Sequence, residues 1–82
     1  MLPLFSYSMK EIIVVMWAEE EEEENTFLCT TFESRARAER KIGELYMNGT
    51  QFRYIRIPGT PTLEYILWVR EELVEELKRG LK

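Results

Sequence analysis

The segment IIVVMW, residues 12–17, is the strongest strand signal in this 82-residue chain. It consists of β-branched and large apolar side chains, which favour extended backbone. Apolar residues occupy both its odd and its even positions. A strand with one face in water would alternate apolar with polar residues, so we expect both faces of this strand to be covered.

The residues that follow predict a hairpin. Asn25 provides a turn residue, and the segment from Thr26 to Phe32 is rich in β-branched and aromatic side chains. This segment therefore predicts a second strand that pairs with the first. Six glutamates would then form an acidic loop between the strands: Glu19, Glu20, Glu21, Glu22, Glu23 and Glu24.

A helix is predicted after the hairpin. Ser34 is a favourable N-cap for a helix that runs to about Met47. Apolar residues spaced four and three apart, at positions 38, 42 and 45, form one stripe along it. The Asn48-Gly49 pair supplies the left-handed residue at which such a helix ends.

The strand-to-helix junction has a recognisable pattern. The stretch from Phe32 to Leu45, FESRARAERKIGEL, resembles one in many small uncharacterised bacterial and phage α+β proteins, in which a hairpin precedes a Ser-capped helix. The resemblance implies that this helix packs on the sheet, and it implies no function. The chain departs from the pattern at Arg35 and Arg37, because the first turn of a helix favours acidic residues.

A third strand is predicted from Gln51 to Ile57. Its alternation places Phe52 and Tyr54 on one face and Ile55 and Ile57 on the other. Pro58-Gly59 fits the central positions of a type II turn.

The last segment has two interpretations. Thr60 as N-cap and Pro61 at the first position could open one long helix that ends near Arg79. At 100° per residue, however, Arg70 would lie within the apolar face and Trp68 within the charged face. A break removes both conflicts, so we predict a fourth strand over 62–69 and a short helix over 70–79.

These elements predict an α+β fold with the order ββαββα (or ββαβα) in a single domain, residues 1–82. The sheet would be mostly antiparallel, and both helices would pack on one face. Residues 1–8 would form an N-terminal extension, with Met1 and Met9 both open as the native start.

Two helices on one face would leave the other face of the sheet exposed. A contiguous apolar face of this kind is uncommon on a monomer, so we expect a homodimer or another protein to cover it. The competing interpretation is that residues 1–8 fold back over it. The residues predicted at this interface are Trp17, Ile55, Ile57, Ile66 and Trp68.

Charge is unevenly distributed along the chain and suggests two other functions. The formal net charge of −4 argues against nucleic-acid binding, but a basic group interleaved with aromatics suits phosphate contact and base stacking. The candidate contacts are Arg35, Arg37, Arg40, Lys41, Arg53 and Arg56. Alternatively, the six-glutamate run could imitate nucleic-acid charge and inhibit a basic partner.

Composition argues against catalysis and cofactors. Histidine is absent and Cys29 is the single cysteine, so neither a histidine-activated nucleophile nor a zinc site can be assembled. We expect no catalytic residue, metal or cofactor, and no apolar run long enough for a membrane span. A lone cysteine favours a reducing, cytoplasmic setting. The acids are all glutamate and amides are scarce, which suggests a thermophilic source, and a phage or mobile-element origin fits a protein of this size.

Overall fold

The computed structural model describes residues 10–21 and 24–81. They form three strands and two helices in the order ββαβα. The elements are β1 (Glu11–Glu21), β2 (Glu24–Phe32), α1 (Arg35–Met47), β3 (Phe52–Pro58) and α2 (Leu63–Gly80). Both β2 and β3 pair antiparallel with β1, which gives the strand order β2-β1-β3. The predicted α+β class and antiparallel sheet are confirmed, with the shorter of the two predicted element orders.

The central strand β1 is buried on both faces, as its sequence predicts. Val14 and Val15 are both fully buried although they point to opposite sides of the sheet. On one side, Ile13, Val15 and Trp17 pack with Ala38 and Leu45 of α1. On the other side, Val14, Met16 and Ile57 pack with Val69, Leu73 and Leu77 of α2. The protein therefore has two apolar layers separated by the sheet.

The predicted placement of both helices on one face needs correction, because α1 and α2 lie on opposite faces. The physical reason lies in β1. Its apolar side chains alternate between the two faces, so each face needs a helix to remove it from water. The extra strand predicted over 62–69 would have placed the second helix elsewhere.

Residues 63–80 form one helix, so the predicted break near Val69 is wrong. Thr62, and not Thr60, is the N-cap, and its hydroxyl accepts a hydrogen bond from the Tyr65 N–H at 3.1 Å. Only a narrow stripe of α2 is buried. Arg70 therefore lies on the flank with its charge exposed, and Trp68 lies on the outer surface, stacked on Tyr65 with ring centroids 5.9 Å apart. Neither residue requires the helix to break.

The first helix begins and ends as predicted. The Ser34 hydroxyl accepts a hydrogen bond from the Arg37 N–H at 3.3 Å, and Asn48 is the C-cap. Gly49 follows with φ of 71°, a left-handed conformation that glycine adopts without strain.

The acidic run is mostly strand and not a loop. Glu19, Glu20 and Glu21 extend β1, and Glu24 begins β2. Backbone pairing continues to the Glu21–Glu24 pair because a ladder of backbone hydrogen bonds does not require apolar side chains. Glu22 and Glu23 lie outside the described residues, as do residues 1–9, on which the predicted extension falls.

Candidate functional site

Each helix leaves one edge of the sheet uncovered. On its face, α2 packs over β1 and β3, so the β2 side chains Phe27 and Cys29 are only half-buried. They line an open hollow of about 380 Å³ between β2 and α2. Its other walls are formed by Met16, Leu67, Arg70, Glu71 and Val74.

The opposite face has the mirror arrangement. There α1 packs over β1 and β2 and leaves β3 uncovered. A groove of about 390 Å³ separates α1 from β3. Its floor includes Ile42 and Phe52, and the exposed rings of Tyr46 and Tyr54 stand in its wall. Both faces thus combine a packed half with an open apolar strip.

The five residues predicted at an interface do not form one surface. Trp17 is 7% exposed and Ile57 is 5% exposed, and the two contribute to core layers on opposite faces of the sheet. Ile55 and Ile66 are half-buried. Trp68 is 53% exposed and remains available for contact. These residues are separated because α2 covers the face of the sheet that was expected to be open.

Other exposed apolar side chains of α2 were missed by the sequence interpretation. Leu63 is 72% exposed and Leu67 is 48% exposed, and Leu67 lines the hollow between α2 and β2. Tyr65 and Trp68 lie on its outer side. If the 3.6-residue period is continued from Leu73 back to residue 63, all four of these side chains fall outside the buried stripe. The sequence therefore contained a signal for their exposure.

The six basic candidates fall into three groups. Arg35 and Arg56 both hydrogen-bond to the Glu11 carboxylate. Arg53 lies on the α2 face, where its Nε is 3.7 Å from an oxygen of Glu76. The remaining three, Arg37, Arg40 and Lys41, line an open hollow on α1 beside Phe32 at the end of β2. The structure therefore forms two basic groups from these residues, the Arg35–Arg56 pair at Glu11 and the set of three on α1, and places Arg53 apart from both.

The hairpin end carries the opposite charge. The exposed residues Glu19, Glu20, Glu21 and Glu24 are clustered there. Glu21 and Glu24 are directly opposed in the ladder, an arrangement of like charges that is destabilising by itself. Strand β2 therefore runs from this acidic end to an end beside Arg37, Arg40 and Lys41, where Glu44 offsets part of the positive charge.

The Cys29 thiol is a weak nucleophile, because its surroundings favour the neutral thiol over the thiolate. Burial raises the pKa of its thiol, and the neighbouring Arg70 guanidinium offsets only part of this effect. The thiolate is the reactive form, so a raised pKa lowers reactivity. Within residues 10–21 and 24–81, no group of three or more Cys, Asp or Glu side chains is arranged to hold a metal ion. In the same residues, neither helix combines the length and apolar composition needed to span a bilayer.

Comparison of the chain with protein-family profiles, with curated proteins and with solved structures finds no match.

Proposed function

We propose that this protein is a small, non-enzymatic protein–protein interaction module that acts as a homodimer. The observation that carries the proposal is the open apolar strip on each face of the sheet, which exists because one helix cannot cover three strands. An apolar strip of this kind gains free energy when a second protein surface removes it from water.

The size of the chain supports self-association. An 82-residue domain buries a smaller fraction of its surface than a larger one, and its stability margin is correspondingly thin. Association with a second copy is a common remedy in proteins of this size. The exposed leucines of α2, Leu63 and Leu67, and the half-buried Phe27 would all lose water contact in such a dimer.

The non-enzymatic part of the proposal is supported by the side chains available. No histidine is present to titrate near neutral pH, and the Cys29 thiol has a raised pKa. The groove beside α1 and the hollow beside α2 are lined mainly by apolar side chains. In the groove, Arg35 and Arg56 share the carboxylate of Glu11. A reducing, cytoplasmic setting fits the single cysteine and belongs to the same proposal.

Sedimentation velocity tests the proposal directly. The full chain has a mass of 9.9 kDa, and we expect a species of twice that mass to dominate at concentrations of about 100 μM. Dilution should shift the population reversibly towards the monomer. A monomer at every concentration up to about 1 mM would overturn the proposal.

Nucleic-acid binding and imitation of nucleic-acid charge stay predictions from the sequence, as do a thermophilic source and a phage or mobile-element origin. The described positions do not favour nucleic-acid binding over dimerisation, because Arg35 and Arg56 are already paired with Glu11 and Arg53 lies on the opposite face of the sheet from the other five. Salt-sensitive binding of a DNA or RNA probe, lost in the Arg37→Glu/Arg40→Glu variant, would favour the first.

A further inference from the structure

Within residues 10–21 and 24–81, strand β2 is an edge strand with a free row of backbone groups. Among the described residues it pairs with β1 alone. The Ala18 N–H donates to the Gln51 carbonyl on the β3 side, so even-numbered β1 residues direct their backbone groups towards β3 and odd-numbered residues towards β2. The unbroken β1–β2 register then directs the backbone groups of Asn25, Phe27, Cys29 and Thr31 outward.

The two edges of the sheet are protected differently. The β3 edge carries Arg53 and Arg56 and ends in Pro58, which are features that discourage another strand from pairing. Between Asn25 and Phe32, β2 has no charged residue and no proline. An edge of this length without such protection is a template for strand addition.

We infer that the β2 edge pairs antiparallel with the β2 edge of a second copy of this chain, joining the two sheets into one six-stranded sheet. This inference rests on the proposed homodimer and assigns its interface. A two-fold axis perpendicular to the sheet relates the copies, so both α1 helices lie on one face and both α2 helices on the other.

Charge complementarity indicates that the strand added to the β2 edge is β2 of a second copy, and that the two strands run antiparallel. Glu21 and Glu24 are paired with each other at the acidic end of the hairpin, and their place in the alternation puts them on the α1 face. Arg37 and Arg40 stand on α1 beside Phe32, at the opposite end of β2. Antiparallel pairing brings the glutamates of each copy next to the arginines of the other. Parallel pairing would instead place acidic ends together.

The same arrangement extends the apolar strip on the α2 face. Phe27 and Cys29 of each copy would lie beside those of the other, so the two open hollows would merge across the axis. Each Leu67 would border the merged strip. The dimer therefore brings the apolar side chains of the two hollows into contact along the axis, and the merged strip stays open between the two α2 helices.

A proline pair tests the strand pairing. Thr31→Pro removes an outward N–H from β2 while leaving the β1–β2 ladder intact, because that ladder uses the even-numbered residues of β2. Tyr54→Pro is the matched control, since Tyr54 directs its N–H to the outer edge of β3. By sedimentation we expect Thr31→Pro to raise the dimer dissociation constant at least tenfold and Tyr54→Pro to leave it unchanged. Equal dissociation constants for the two variants would overturn the inference.

A charge swap tests the direction of pairing and does not depend on a proline being tolerated. We expect Arg37→Glu/Arg40→Glu and Glu21→Lys/Glu24→Lys each to weaken its own homodimer at least tenfold at low salt. Mixing the two variants should restore a dimer that contains one copy of each, because both interface ends are then complementary. Homodimers of wild-type affinity, or a mixture that stays monomeric, would overturn the inference.

The outcomes separate the interface from the proposed function. If neither the proline pair nor the charge swap weakens the dimer but Trp68→Glu dissociates it, the contact lies on the outer side of α2. The proposed homodimer is then correct and the β2 interface is wrong. If the wild-type protein is a monomer, both the proposed homodimer and the β2 interface are overturned. Hydrogen exchange then shows whether another part of the chain covers the edge, since in that case the Phe27, Cys29 and Thr31 amides are protected in the monomer.

Discussion

The Arg56 guanidinium donates two hydrogen bonds to Oε1 of Glu11, from Nε at 3.1 Å and from Nη2 at 3.0 Å. The second carboxylate oxygen, Oε2, accepts a hydrogen bond from Arg35 Nε at 3.3 Å. Glu11 therefore connects β1 to both β3 and α1. Its partner Arg35 is a basic residue in the first turn of α1, where the helix has no acidic residue of its own.

The hydrogen bond from Arg56 is the largest effect that lowers the pKa of Glu11 below its ordinary value of 4.5. A carboxylate with a lower pKa in the folded than in the unfolded state stabilises the fold above its unfolded pKa, and this contribution is lost as the pH falls through the folded pKa. We expect Glu11→Gln to unfold at a lower temperature than wild type at neutral pH. The difference should shrink as the pH falls below 4.5.

Thermal unfolding of both proteins between about pH 7 and about pH 3 measures this difference. The other carboxylates titrate in both proteins, so their contributions cancel in the comparison. A difference in unfolding temperature that stays constant across this range would contradict the role assigned to Glu11.

Leu77 and Leu67 lie in the same helix and differ in burial, the first fully buried and the second 48% exposed. Leu77→Ala should lower the free energy of unfolding by about 2–5 kcal/mol, because it removes buried contacts and leaves a cavity. Leu67→Ala should lower it by less than about 1 kcal/mol, since half of the side chain already contacts water. Urea unfolding at a protein concentration that keeps both variants monomeric measures the difference. Similar losses in the two variants would show that α2 is rotated from its described position.

Local signals in the sequence were sufficient for the first half of the fold. The apolar run in β1 predicted a strand covered on both faces, and Ser34 and Asn48-Gly49 predicted the ends of α1. These predictions succeeded because each depends on residues that are close in the chain. Residues 62–69 were assigned wrongly because Trp68 and Arg70 conflict with a helical face unless the buried stripe is narrow. The width of that stripe depends on tertiary packing, which the local pattern does not encode.

The prediction that Trp17 and Ile57 lie at an interface was wrong for a related reason. It assumed that both helices share one face, so that Ile57 and Trp17 would be exposed. Once the helices lie on opposite faces, the uncovered apolar surface moves to the two edges of the sheet. The polar sequence around Thr30 and Thr31 gave no sign that the unprotected edge is β2, because which strand stands at an edge is a property of the topology.

The N-cap of α2 is Thr62, two positions after the Thr60 that the one-helix interpretation of the sequence placed there. The Thr62 hydroxyl accepts a hydrogen bond from the Tyr65 N–H, so Thr62→Ala should lower the free energy of unfolding by about 1 kcal/mol. Thr60→Ala is the matched control, because Thr60 is exposed and precedes the N-cap by two positions. We expect that variant to unfold within about 0.5 kcal/mol of wild type. A larger loss at Thr60 than at Thr62, measured by urea unfolding, would move the N-cap of α2 to Thr60, where the one-helix interpretation placed it.

Two glycines provide substitutions with opposite expected signs. Gly43 lies inside α1, and a Cβ added there would meet no atom within 4 Å. Gly43→Ala should therefore raise the free energy of unfolding by about 0.5–1 kcal/mol, because alanine loses less backbone entropy in a helix. Gly59 has φ of 82°, so Gly59→Ala should lower the free energy of unfolding by about 1–2 kcal/mol despite the open space around it. Chemical unfolding of the two variants beside wild type measures both changes. If Gly59→Ala were neutral, the turn between β3 and α2 would have to adopt a different backbone conformation, and the direction in which α2 leaves the sheet would change with it.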